Sequence, residues 1–262
     1  MTPLDQYKRD MEERVAGYRS NPELQNAGRA FFEQIGIGKA NYVYNFTWLG
    51  VPILQIPQDL QALQEIIWQA KPDLIIDTGI AWGGSLMFNA SMLAILEACG
   101  EIGNGRVVGL DIDIRPHNRK SITDHPLAKK ITLIEGSSID QGIIDQVREI
   151  ARQHTRVLVC LDSNHTHDHV LAELEAYAPL VSRGSYCMVG DTIIEDAPAG
   201  MVSARPWGKG NSPKTAVWEY LRRLSAEGRC GADGEPLKFG IDRFVEDKII
   251  LTGSPDGYLK RL

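Results

Sequence analysis

Four short apolar runs in this chain stop at an aspartate: residues 73–77 (DLIID), 106–111 (RVVGLD), 157–162 (VLVCLD) and, delayed by one glycine, 186–191 (YCMVGD). Short runs that are apolar without alternation are strands buried on both faces, and such strands belong to parallel sheets sandwiched between helices. A fifth run of the same type covers Ile131–Glu135. The stretches around them carry helical spacing: Leu60–Gln69, Gly84–Ala98, Ile139–Gln153, Val170–Ala178 and Lys214–Ser225. Two closing apolar segments, Phe239–Val245 and Lys248–Thr252, lie too close together for a crossover and are predicted to pair as a hairpin through Glu246 and Asp247. The expected fold is α/β: a doubly wound, mostly parallel seven-stranded sheet with one antiparallel strand.

With 262 residues, the chain can enclose one large core of this kind. We expect residues 59–262 to form that domain and residues 1–58 to be an N-terminal helical and aromatic extension. The first 25 residues are polar and charged with widely spaced apolar positions, suiting a peripheral helix or a partner-binding arm, and together with the aromatic segment after them they invite self-association into a homo-oligomer. Residues 40–58 are dense in aromatics and broken by Gly50, Pro52 and Pro57, which rules out a long helix. Tyr42, Tyr44, Phe46 and Trp48 are either core or the wall of a pocket. A formal net charge of −6 argues against a nucleic-acid partner, because phosphate contacts need a basic face. No run approaches the ~18 apolar residues of a membrane span, and residues 1–14 have no apolar leader segment. The expectation is a cytoplasmic protein with no membrane partner. Cys99, Cys160, Cys187 and Cys230 are scattered without a zinc-like spacing; Cys160 and Cys187 read as small buried hydrophobes.

In open parallel sheets ligands bind beyond the carboxyl ends of the strands, near the point where strand order reverses. Asp77, Asp111, Asp162 and Asp191 would concentrate polar function there. The turn Asp77-Thr-Gly-Ile-Ala-Trp-Gly-Gly-Ser85 offers Gly79, Gly83 and Gly84, which let the backbone turn sharply and approach a ligand. A degenerate dinucleotide fingerprint, Gly79-x-Ala81-x-x-Gly84, is the poorer reading, because Asp77 would repel a pyrophosphate. S-adenosylmethionine suits the turn better: its ammonium and sulfonium match Asp77, and its ribose hydroxyls match the two acceptor oxygens of Asp111. Ser85 closes that turn, and Ser137 and Ser138, after the third strand, are placed to meet the adenine edge. A second constellation is Asp162-Ser-Asn-His165-Thr-His167-Asp168-His169. Asp162 and Asp191 are candidate ligands for Mg²⁺ or Mn²⁺, hard cations that favour carboxylates and water. His165 is the candidate base, since an imidazole titrating near ~6.5 accepts a hydroxyl proton at neutral pH and a bound cation lowers the hydroxyl's own pKa. The plainer reading is a helix start capped by Asn164 or Thr166, with His167 and His169 at the surface. Glu195 and Asp196 either extend the metal site or are solvated. Arg205, Lys209 and Lys214 make the loop Arg205–Pro213 basic, either to clamp a substrate carboxylate or phosphate or simply to face solvent. An iron site of two histidines and a carboxylate could also be drawn from Asp162, His165 and His169.

The chain resembles the cephalosporin hydroxylase family, which also includes rhamnosyl O-methyltransferases. The matching segments are Tyr44–Gly50, Asp77–Ser85, Leu161–His167, Asp191–Asp196, Arg205–Gly210, Pro213–Trp218 and Pro255–Lys260, in that order, so the resemblance spans roughly residues 40–262. It implies a Rossmann-like class I methyltransferase fold binding S-adenosylmethionine, a Mg²⁺ site in many members, and methyl transfer to a hydroxyl of a sugar or glycosylated small molecule. It implies Asp162 and Asp191 as metal ligands and Asp111 as the ribose acceptor. Tyr44, Trp48, Arg205 and Lys209, within matched segments, are the candidate substrate-binding residues. Two departures stand out. Related metal-dependent members carry an acid directly before the second acidic ligand, where this chain has Gly190, and His is expected in many relatives where it has Trp82. The first keeps open a non-catalytic partner protein that retains a cofactor pocket; the family's name keeps open a hydroxylase component.

Overall fold

The computed structural model describes residues 2–36, 39–197 and 205–262. Two N-terminal helices lead the chain, α1 (Pro3–Arg19) and α2 (Pro22–Ile35). Both starts are written in the sequence. Thr2 Oγ1 accepts the Asp5 amide while the Asp5 carboxylate accepts the Thr2 amide, a reciprocal cap, and Asn21 Oδ1 accepts the Leu24 amide. In each helix one residue is fully buried, Val15 and Ile35. The aromatic segment that follows folds into a hairpin of β1 (Phe46–Trp48) and β2 (Val51–Ile53), turning through Leu49 and Gly50 at positive φ.

The remaining described elements alternate: α3 (Pro57–Ala70), β3 (Leu74–Thr78), α4 (Gly84–Ala98), β4 (Arg106–Asp111), α5 (Pro116–Thr123), β5 (Ile131–Glu135), α6 (Gln141–Ala151), β6 (Val157–Leu161), α7 (His167–Tyr177), β7 (Tyr186–Val189), α8 (Pro213–Glu227), β8 (Phe239–Ile241), α9 (Arg243–Ile249) and β9 (Tyr258–Arg261). They build a seven-stranded sheet in the order β5-β4-β3-β6-β7-β9-β8, with β9 antiparallel to both its neighbours. The expected architecture is therefore the observed one, including the single antiparallel strand.

The predicted closing hairpin is not formed as expected. Phe239–Ile241 is a strand, but Arg243–Ile249 is helical, and the partner strand is Tyr258–Arg261 rather than Lys248–Thr252. Asp242 decides this locally: its side chain accepts the Val245 amide and starts a helix where apolar alternation suggested a strand. Arg243 then pairs with Glu246 within α9, and Lys248 pairs with Glu65 on α3. A second helix that the periodicity did not announce is α5, polar throughout most of its length and opened by Pro116.

Alternating strand residues feed two cores. Leu74, Ile76, Val108 and Val159 pack toward α6, α7 and α8, against Val147, Leu174 and Tyr220. Ile75, Val107 and Leu158 pack on the other face against α3 and α4, with Ile67, Leu86 and Leu93. Side chains like these, at 0% exposure, each stabilise the fold by roughly 1.5–3 kcal/mol relative to exposure. Cys160 and Cys187 are buried on opposite faces as expected of small hydrophobes. No helix among the described residues is long and apolar enough to cross a membrane.

Register fixes the functional edge. Thr78 is level with Leu110 on one side and Leu161 on the other, and Leu161 is level with Val189. The residues beyond these strand ends therefore emerge together. The chain runs from β3 outward to β4 and β5, then crosses to the other side of β3 for β6, so the reversal of strand order lies between β3 and β6.

Candidate active site

The turn leaving β3 is held in a shape few residues tolerate. Gly79 has φ +82°, and a Cβ there would lie 2.1 Å from the Asp162 carbonyl oxygen. This glycine lets the turn touch the strand end that carries Asp162. Ala81 follows at φ +44°, and Asn118 on α5 donates from Nδ2 to its carbonyl at 2.7 Å. Gly84 begins α4 against β2: a Cβ there would stand 2.3 Å from the Pro52 carbonyl oxygen. Gly83, at φ +94°, faces Ile122 of α5.

Two carboxylates support this turn. Asp111 Oδ2 accepts the amides of Ile80 (3.1 Å) and Ala81 (3.3 Å), and Oδ1 accepts the amide of Asp113 (3.1 Å). Asp77 is buried, with Asn89 donating to Oδ2 at 3.1 Å. Burial pushes the Asp77 carboxyl up to about 7, against the opposing pull of hydrogen bonds from Ser85 and Asn89, and the neighbouring charge of Asp111 adds to the rise. A cation held in the turn would relieve that penalty, which is the behaviour expected of a site for an ammonium or sulfonium group.

Ser137 and Ser138 divide. Ser137 is half-buried after β5, whereas Ser138 is buried with Oγ 3.1 Å from His169 Nε2. His169 Nε2 also lies 3.1 Å from Ser163 Oγ, which donates to Glu173 Oε1 at 2.7 Å. Glu173 is fully buried, and its Oε2 has no partner. His169 is thus part of an internal link between the loop after β5 and the loop after β6. His167 is tied as well, its Nδ1 being 2.8 Å from Thr215 Oγ1 and its amide donating to Asn211 Oδ1 at 2.9 Å. The expectation of two surface histidines is corrected: helix α7 packs beneath α8, and both rings are half-buried between elements. The same placement removes His169 from any metal set with Asp162 and His165.

Asp162, His165 and Asp191 do converge. One potential ligand atom from each lies within 4.8 Å of the others, and His165 Nε2 is 3.3 Å from Asp191 Oδ2. Asp191 reaches this position from φ +52°. Asp162 is half-buried, and no described residue donates a hydrogen bond to its carboxylate. Burial first, then the charges of Asp191 and Asp77, push its pKa well above the usual carboxylate range. Clustered like charges without donors are the arrangement a divalent cation would compensate, and two carboxylates with an imidazole nearby suit Mg²⁺ or Mn²⁺. Gly190 lies against this carboxylate: a Cβ there would be 2.4 Å from Asp162 Oδ1. An acid at that position has no room while Asp162 stands where it does.

Glu195 and Asp196 turn away from the metal cluster. Glu195 Oε2 accepts the Gly210 amide (2.9 Å) and Ser212 Oγ (2.7 Å), and Asp196 pairs with the buried Lys214. Arg205 lies over the Trp207 ring at 5.4 Å, and Lys209 is exposed. Tyr44 is exposed, whereas Trp48 packs edge-on against Phe88 and donates to Ser91 Oγ at 3.0 Å, so the aromatic segment contributes both surface and core. Trp82 is 43% exposed beside His117. The sequence reading did not single out Asn89, Asn118, Glu173 or Trp207. Asn89 and Glu173 are polar residues at inward helical positions, a detectable signal; Asn118 sat in an unrecognised helix.

A profile of the family described as Rhamnosyl O-methyltransferase/CmcI matches residues 40–262. The chain belongs to this family. A rhamnosyl O-methyltransferase from Mycobacterium leprae (strain TN) is 31% identical over 223 residues, covering 84% of this chain and 86% of that protein. One from Mycobacterium tuberculosis (strain ATCC 25618 / H37Rv) is 26% identical over 219 residues, covering 82% and 78%. A solved structure of CmcI with Mg and SAM shares the fold with a TM-score of 0.55 at 17% identity, covering 86% of this chain and 80% of that one. As a member of the rhamnosyl O-methyltransferase/CmcI family with the class I methyltransferase fold, the protein is an S-adenosylmethionine-dependent O-methyltransferase. The resemblance read from the motifs is the family found, and the methyltransferase reading stands over the hydroxylase one.

Proposed function

We propose that this O-methyltransferase acts on a hydroxyl of a sugar or glycosylated small molecule, with a divalent cation at Asp162 and Asp191 and with His165 as general base. The observation that carries the reading is the convergence of Asp162, His165 and Asp191 at the strand-end edge, around a carboxylate that receives no hydrogen bond from any described residue. The rhamnosyl specificity in the names of its relatives points to the same acceptor chemistry.

The chain's own residues divide the work. Gly79, Gly83, Gly84 and Ser85 shape the donor turn, Asp77 supplies negative charge beneath it, and Asp111 holds its amides while offering remaining lone pairs to ribose hydroxyls. Ser137 borders the adenine end; Ser138, turned inward, acts through the loop it anchors. When bound, S-adenosylmethionine supplies an electrophilic methyl, and the cation supplies charge that acidifies and orients a coordinated hydroxyl. His165 takes the hydroxyl proton at Nε2, where Asp191, 3.3 Å away, stabilises the resulting imidazolium. Arg205, Lys209 and Tyr44 present the exposed polar and aromatic groups with which an acceptor would be held, and Trp48 supports the hairpin behind them. Positioning and electrostatics then supply most of the rate.

The test is Asp162→Ala assayed against a panel of free, nucleotide-activated and aryl rhamnosides and other hexosides. Methyl transfer to at least one panel member is expected from the wild type and should vanish in the variant, while S-adenosylmethionine affinity by calorimetry stays within a few-fold. Transfer that persists in Asp162→Ala, or that ignores chelation of divalent cations in the wild type, overturns the metal role.

A further inference from the structure

Among the described residues, the imidazole of His165 has no hydrogen-bonded partner of the kind that usually orients a catalytic histidine. Nothing among them is hydrogen-bonded to its Nδ1; its near polar neighbours are the carboxylates of the cluster, Asp191 at 3.3 Å on the Nε2 side and Asp162 within 4.8 Å. A general base works when a third group fixes its ring. Here the ring meets Trp207 instead: the two planes are perpendicular (89°) with centroids 4.8 Å apart.

Trp207 is held there by a loop stitched on several sides. Gly208 and Asn211 exchange backbone hydrogen bonds at 2.9 Å, and Asn211 Nδ2 donates to the Pro206 carbonyl at 2.8 Å. Asn211 Oδ1 accepts the His167 amide, two residues beyond His165. Glu195, four residues beyond Asp191, accepts from Gly210 and Ser212. The loop therefore bridges the two segments that carry the cluster. Arg205 covers the Trp207 ring from within the same loop.

We propose that Trp207 is a positioning residue for the base: packed across the imidazole, it holds His165 with Nε2 toward Asp191 and the acceptor hydroxyl, replacing the hydrogen-bonded orienting group. This deepens the proposed function and rests on its assignment of His165. The contact with Asp191 fixes one ring atom and not the plane of the ring. The perpendicular indole limits the swing of that plane from one side, and a catalytic group misplaced by about 1 Å can lower turnover about 100-fold.

The experiment compares Trp207→Ala and Trp207→Phe in the full-length protein, with p-nitrophenyl α-L-rhamnoside as acceptor probe. In Trp207→Ala we expect kcat to fall roughly 10- to 100-fold, with the probe's KM and the S-adenosylmethionine Kd within about threefold, and Trp207→Phe to recover most of kcat. Proton NMR gives a readout independent of turnover. The His165 ring signals, assigned by their loss in His165→Asn, should shift and broaden in Trp207→Ala. Unmoved His165 signals, an unchanged kcat, or a rise in KM alone would overturn the proposal. If Trp207→Ala loses S-adenosylmethionine binding through misfolding, Asn211→Ala decides: a smaller displacement of the same signals supports the role, and none refutes it. Should the wild type methylate no rhamnoside, the functional reading fails, while the NMR comparison still decides whether Trp207 orients this ring.

Discussion

Replacing Asp77 by Asn should stabilise the protein at neutral and alkaline pH while weakening its hold on the methyl donor. The folded-state pKa, about 7 against an ordinary 3.8, is raised chiefly by burial. Below 3.8 the group is protonated in both states and contributes no difference. Between 3.8 and 7 the unfolded chain releases the proton while the native protein keeps it, so stability falls as pH rises through that window. Linkage gives a penalty of about 2 kcal/mol at pH 5 and about 4 kcal/mol at pH 8. Asn keeps the shape and the partner Asn89 but removes the ionisation. For a chain of 262 residues, about 4 kcal/mol corresponds to a Tm rise of roughly 7 °C at pH 8, with about half of that at pH 5. Scanning calorimetry of both proteins at the two pH values measures this directly. The same scans with saturating S-adenosylmethionine should show a smaller ligand-induced shift in the variant. A Tm gap that is absent, negative or independent of pH would refute the argument that the buried charge is held at the expense of stability for the sake of a cationic guest.

Gly79→Ala should destabilise by about 3–5 kcal/mol, combining the positive-φ penalty with overlap against unyielding backbone; Gly100→Ala, at φ +72° with open space around it, should lose only about 1 kcal/mol in the same denaturant titration. Gly190→Ala should force the Asp162 carboxylate aside, and Mn²⁺ affinity read by electron paramagnetic resonance should drop roughly 10- to 100-fold. Gly190→Glu, although it adds a carboxylate beside the cluster, should not rescue it. Asp111→Ala, which leaves the amides of Ile80, Ala81 and Asp113 without their acceptor, should weaken S-adenosylmethionine binding at least about 10-fold by calorimetry and speed hydrogen exchange at Ile80 and Ala81.

The parallel sheet was readable because its central strands are buried on both faces, so composition alone identified DLIID, RVVGLD, VLVCLD and YCMV as strands. The convergence of their terminal acids followed from topology. Other parts were hidden for identifiable reasons. Helix α9 carries Phe244, Val245 and Ile249, a pattern as compatible with a strand as with a short helix, and only the Asp242 cap separates the two. Strand β9 has four residues, two of them cationic, an unpromising composition for a place inside the sheet; the buried Arg261 there pairs with Asp233 and donates to the Val181 carbonyl. The roles of Glu195 and Asp196 depended on where the loop 205–212 lies, and that position is set by long-range hydrogen bonds no local pattern encodes. Trp207 escaped notice because an aromatic in a Gly/Pro/Lys loop gives no periodicity.

The insertion of β9 between β7 and β8 has a consequence for biogenesis. Among the described strands, residues 258–261 are synthesised last, yet they occupy an interior place in the sheet. Until they arrive, β7 and β8 each present an unsatisfied edge to other nascent chains, a recognised route to aggregation. That side of the sheet can therefore close only once residues 258–261 are available to pair, after every other described strand has been made.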